Sequence, residues 1–132
     1  MACNSIATTR ATIGNIVLNK ESLAGIIAAI TGRPIADIST NQYSAQECAA
    51  YIHINGITYE IESYRGSVEL SINAATSGES DRLMQKHKET FDRALIIAQQ
   101  KTVIAKLAAL GKLSQVQGKD NGVTLRLEID VK

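Results

Sequence analysis

The chain of 132 residues has no tryptophan, one proline and two cysteines, and its aromatics are four tyrosines and one phenylalanine. Each shortage excludes something. Two cysteines, Cys3 and Cys48, are too few for the disulfide framework of a small secreted domain. With so few rings, the core has to be built from Ile, Leu, Val and Ala. No uninterrupted apolar run exceeds Ala94–Ala98, far short of the ~20 residues that a transmembrane helix needs. Met1-Ala2-Cys3-Asn4-Ser5 lacks the basic-then-apolar pattern of a secretory signal, and there is no glycosylation sequon or lipidation box. The expected location is the cytoplasm, with no membrane contact and with reduced, silent thiols. An excess of one charge is also missing: 14 basic and 13 acidic residues leave +1. Such a chain has no global field to steer polyanions and little repulsion to oppose self-association.

Recognisable chemistry is equally scarce. Cys3, Cys48, His53 and His87 are the only soft metal ligands, and none stands at a metal-binding spacing. Cys48 and His53 lie an odd number of residues apart on one expected strand, so their side chains start on opposite faces. Cys48 reads better as a small buried hydrophobe than as a nucleophile. Gly111-Lys112 and Gly118-Lys119 lack the glycine spacing of a phosphate loop, and no Ser-His-Asp arrangement or nucleophile elbow appears. No catalytic residue, cofactor or metal is therefore expected.

The length suits one domain over residues 1–132, which would bury roughly 68% of its extended-chain surface. Ser5 to Ile13 alternates weakly as a strand until Gly14-Asn15 breaks it. Asn19 stands where an N-cap belongs, and Leu23, Ile26, Ile27 and Ile30 follow at the spacing of one helix face, with Gly32 and Arg33-Pro34 as the stop. The spacing predicts a helix over 20–31. Residues 35–46 read as a loop, because Ser39-Thr40-Asn41-Gln42 is polar and uncharged.

The middle of the chain is the most legible. Asn55-Gly56 signals a tight hairpin turn in which both central residues need positive φ. Pairing Ile54 with Ile57 then places Ile52 opposite Tyr59 and Ala50 opposite Ile61, all on one face. Arg65-Gly66 offers a second turn, around which Ile61 meets Leu70 while Val68 and Ile72 join the apolar face. The pattern predicts a three-stranded meander over 49–73. Its other face would carry Tyr51, His53, Glu60, Glu62, Tyr64 and Glu69, exposed.

Thr76-Ser77-Gly78-Glu79 resembles a capping box before a long helix that runs to Leu110 and stops at Gly111. Met84, Phe91, Leu95, Ala98, Thr102, Ala105 and Ala109 form its expected inner stripe. Such a helix is too long for a compact domain of this size, so it either breaks near Gln99-Gln100 or projects at one end. Leu113 to Gln117, a turn at Asp120-Asn121-Gly122 and an alternating strand from Val123 to Val131 complete the chain. The order strand, helix, three strands, helix, two strands implies an α+β fold: a mostly antiparallel sheet with two helices on one face.

Ser5-Ile6-Ala7-Thr8-Thr9, which leads into the helix containing Leu23, and Val103 to Gly111, which leads through a hairpin into Asp120-Asn121-Gly122-Val123-Thr124-Leu125-Arg126-Leu127, resemble a family of short uncharacterised proteins encoded by cyanobacteria and algal plastids. These are hypothetical reading frames in which an Asp-Gly turn also leads into an alternating Ile/Leu-Arg-Leu strand. The resemblance implies no activity and no functional residue.

Two constellations remain. Glu60, Glu62 and Glu69 crowd the outer sheet face, with Glu62 opposite Glu69; Arg126 or another nearby base is the expected balance. Arg82, Lys86, Lys88 and Arg93 alternate with Asp81, Glu89 and Asp92, the pattern of a solvated helix with i,i+4 ion pairs. By contrast, residues 94–110 are apolar on two helix faces, and Ile96, Ile97, Val103, Ile104 and Leu107 have no second sheet to cover them. The expected function is that of a small non-enzymatic interaction or assembly protein that associates with itself or with another protein. The alternative is a nucleic-acid-binding accessory domain that stacks bases on the outer sheet tyrosines. An enzyme ranks third.

Overall fold

The computed structural model describes residues 5–14, 16–110, 112–117 and 123–128, with side chains described up to residue 109. Cys3, the turn at Asp120-Asn121-Gly122, Gly111, and Ile129 and Val131 of the expected last strand lie outside the described residues. The chain divides into two compact units, Met1–Gln99 and Gln100–Lys132.

The first unit is built on a five-stranded antiparallel sheet. Its strands are β1 (Ser5–Thr12), β2 (Ser39–Ser44), β3 (Glu47–Ile54), β4 (Ile57–Tyr64) and β5 (Ser67–Ala74), in the order β1-β5-β4-β3-β2. Helix α1 (Lys20–Thr31) follows β1, and helix α2 (Ser77–Leu110) begins after β5. The α+β class is as expected. The element order is corrected at one place: four strands, not three, stand between the helices.

The extra strand is β2, from the segment read as a loop, preceded by a short 3-10 helix at Ile35–Asp37. It is an edge strand in which every residue but Thr40 is exposed. With neither face in the core, no apolar alternation marks it. β3, β4 and β5 pair as the turn signals require: Ile54 with Ile57, Ile52 with Tyr59, Ala50 with Ile61, and Ile61 with Leu70. Asn55 and Gly56 take φ of 50° and 80°, and Arg65 and Gly66 take 44° and 83°, so both hairpins are closed by the left-handed residue pairs that fit strand twist.

α1 starts at Asn19, whose Oδ1 accepts a hydrogen bond from the Ser22 N–H at 2.8 Å, and ends at Gly32 in the left-handed conformation. Leu23, Ala24, Ile26, Ile27 and Ile30 are buried. α2 is capped by Thr76, whose hydroxyl accepts from the Glu79 N–H at 3.2 Å. It continues as one helix through Gln99-Gln100 for 34 residues. Its inner stripe is shorter than expected. Leu83, Met84, Phe91, Leu95 and Ala98 are buried, Thr102 is half-buried, and Ala105 and Ala109 are exposed. Both helices share one core with the inward row of the sheet, which includes Ala7, Ala50, Tyr59, Ile61, Val68, Leu70 and Ile72. That core is aliphatic around a single fully buried ring, Phe91.

The second unit contains the last turns of α2 and an antiparallel pair, β6 (Lys112–Gln117) and β7 (Val123–Glu128), in register from Lys112 with Glu128 to Gln117 with Val123. The hairpin forms its own two-stranded sheet.

Candidate functional site

Helices pack on one face of the five-stranded sheet, and among the described residues of the first unit no element covers the other. The register aligns four rows across this outer face: Ile6-Asn73-Thr58-His53, Thr8-Ser71-Glu60-Tyr51, Arg10-Glu69-Glu62-Ala49 and Thr12-Ser67-Tyr64-Glu47. All six sheet-face candidates are brought together here. His53, Glu60 and Tyr64 are exposed, and Tyr51, Glu62 and Glu69 are half-buried.

Glu69 stands between Arg10 and Glu62. The Arg10 guanidinium donates from Nη2 at 2.8 Å and from Nε at 3.1 Å to Glu69 Oε2. The base that balances this cluster is therefore Arg10; Arg126 belongs to the second unit, and its side chain lies outside the described residues. β1 alternation places Arg10 on the outer face, but only the pairing of β1 with β5, some sixty residues away in sequence, sets it beside Glu69. Among the described residues, Glu62 has no such partner. Burial first, then the neighbouring charges of Glu60, Glu47 and Glu69, push its carboxyl above the usual range. Arg10, Glu47, Glu62, Tyr64, Ser67 and Glu69 line an open depression of about 630 Å³. Among the described residues, no group of three His, Cys, Asp or Glu side chains is placed to hold a metal ion.

The tyrosines on this face are already engaged. Tyr51 meets His53 edge-on with ring centroids 6.0 Å apart, and the Arg65 guanidinium lies 5.4 Å above the Tyr64 ring. His53 Nδ1 is 2.6 Å from the Thr58 hydroxyl. A smaller recess of about 320 Å³ is lined by Gly14, Ile16, Val17, Gln46, Ser63, Arg65 and Gly66. The sequence offers no signal for it, because three separate turns converge there.

On the core side, Cys48 is buried, with its Sγ 3.3 Å from the Leu18 carbonyl oxygen. Burial, followed by the charge of Glu21, pushes its thiol up, the opposite of what a reactive thiolate needs. His53 points to the other face, as the odd spacing requires.

The interface candidates lie along α2. In the first unit, Ile96 and Ile97 are 55% and 51% exposed, although Leu95 and Ala98 on either side are buried. In the second unit Val103 is exposed, and Ile104 and Leu107 are half-buried. At about 100° per residue, Ile97 points roughly opposite to Leu95. The basic and acidic side chains earlier in α2 are solvated, with Arg93 and Glu89 forming an i,i+4 ion pair. No helix among the described residues is long and apolar enough to cross a membrane. The chain matches no family model, no curated protein and no solved structure.

Proposed function

We propose that this is a non-enzymatic interaction or assembly protein that works by self-association through α2. Ile96 and Ile97 carry this reading. They are large aliphatic side chains more than half exposed on a helix whose opposite side already fills the core. Leaving such a side chain in water rather than burying it forgoes roughly 1.5–3 kcal/mol. Val103 and Ile104 follow Ile96 and Ile97 at the seven-residue spacing that returns to the same side of a helix. A net charge of +1 does little to oppose contact between copies.

The outer sheet face argues against the nucleic-acid alternative. Glu47, Glu60, Glu62 and Glu69 oppose a phosphate backbone, and the Tyr64 ring that would stack a base is occupied by Arg65. Sedimentation velocity across the micromolar range tests the proposal. The intact chain is expected to associate with rising concentration, and Ile96→Lys and Ile97→Lys to weaken that association without changing the helical signal. A monomer at every concentration overturns it.

A further inference from the structure

We infer that a second contact between copies runs along the free edge of β1, where two β1 strands pair antiparallel to join their sheets. This rests on the self-association reading and adds a surface that the helix strip does not supply.

β1 is hydrogen-bonded only to β5, so one side of its backbone faces outward among the described residues. Protein sheets normally blunt such an edge with a bulge, a proline, charged side chains or a very short strand. β1 carries only one of these, the charge of Arg10, which an ion pair with Glu69 ties to its own sheet. Its eight residues, Ser5–Thr12, contain neither proline nor lysine, and they pair with β5 in unbroken register from Ser5 with Ala74 to Thr12 with Ser67. The opposite edge differs: β2 is shorter, shifts register between Gln42 and Ser44, and turns the Gln42 amide onto the Ser44 carbonyl at 2.5 Å. β1 is also rich in residues that favour strands, including three threonines and an isoleucine, and Ile6 is 61% exposed.

The side chains identify the occupant as a second copy. A twofold contact must be self-complementary. With Thr9 facing Thr9 of the other copy, Ala7 faces Ala11 on the inner side. On the outer side Ile6 faces Thr12, and Thr8 faces Arg10. Small residues meet small ones, and the strand's single charge, Arg10, never meets itself. Arg10 also forms an ion pair with Glu69 within its own subunit. No like charges stand opposite each other, which is the arrangement that would discourage cross-strand pairing.

Position 8 gives the test, because Thr8 is exposed and its partner in the sheet is the uncharged Ser71. The full-length chain carrying Ile97→Lys, which weakens the helix contact, is expected to remain dimeric in sedimentation experiments. In that background, Thr8→Lys places two like-charge pairs across the joint and should raise the dissociation constant roughly tenfold, whereas Thr8→Glu places two opposite-charge pairs there and should lower it. Thermal unfolding at low concentration checks that both variants keep the fold. If the Ile97→Lys chain is monomeric while the parent associates, edge pairing is wrong and helix association stands. Equal dissociation constants for the two Thr8 variants also overturn edge pairing. A parent chain that is monomeric throughout ends both proposals.

Discussion

Gly66 closes the β4–β5 hairpin with a φ of 83°, and a Cβ built on it would lie 2.7 Å from the Gly14 carbonyl oxygen. Gly56 closes the β3–β4 hairpin with a similar φ of 80° but has open space around it. The pair separates two costs. Alanine at either site pays for the left-handed backbone, roughly 1–2 kcal/mol. At Gly66 it must also push away the β1–α1 loop. Urea unfolding is expected to show Gly66→Ala clearly less stable than Gly56→Ala; equal losses would mean that the loop yields freely.

Glu62 makes the second prediction at this scale. Its carboxyl is raised by burial and by three neighbouring carboxylates, so folding favours its protonated form. The destabilisation is therefore absent below the unfolded-state pKa, about 4.3, and complete once the pH exceeds the raised folded value. Glu62→Gln should stabilise the chain at pH 7 by roughly 0.2–1 kcal/mol, the scale of a cross-strand like-charge pair. The two proteins should converge as the pH falls below 4. A stability gap independent of pH would show that shape, not charge, sets the difference.

Among the elements, the helices depend on caps that are visible in the sequence. Asn19 and Thr76 each satisfy an N–H at a helix start that no internal carbonyl reaches. Asn19→Ala should cost about 1 kcal/mol, measured by thermal or urea unfolding; no change would mean that water replaces the cap without loss. The strands divide by location. β3, β4 and β5 have one face in the core and one outside, so their apolar residues alternate and their turns set the register. β2 has no face in the core, and its Ser, Thr, Asn and Gln side chains resemble a loop until Ala49, Ala50 and Tyr51 of β3 pair with them.

The molecule as a whole has a well-filled first unit and exposed aliphatic side chains on α2. Within the first unit, the last buried side chain of α2 is Ala98. Association through Ile96 and Ile97 would be driven by apolar burial, which added salt does not screen as it screens ion pairs. The dissociation constant is therefore expected to stay constant or fall between low and high salt. A marked weakening in salt would point instead to the charged side chains of α2, such as Arg93 and Glu89.

Local pattern was enough for the helix limits, the meander register, the inward row from Ala50 to Ile72 and the opposite facing of Cys48 and His53. Each depends on a short-range period or a tight turn, and a one-residue slip would move a whole apolar row into water. Tertiary structure alone decided two things. It joined β1 to β5, which gives Glu69 its partner Arg10 and leaves the other edge of β1 unpaired among the described residues. It made a strand of β2 by pairing it with β3. The continuity of α2 through Gln99-Gln100 is local instead: both residues favour helix, and no proline or glycine follows Gly78 before Leu110. Contacts between segments far apart in the chain leave no period in either segment, so the partners become visible only when the sheet is assembled.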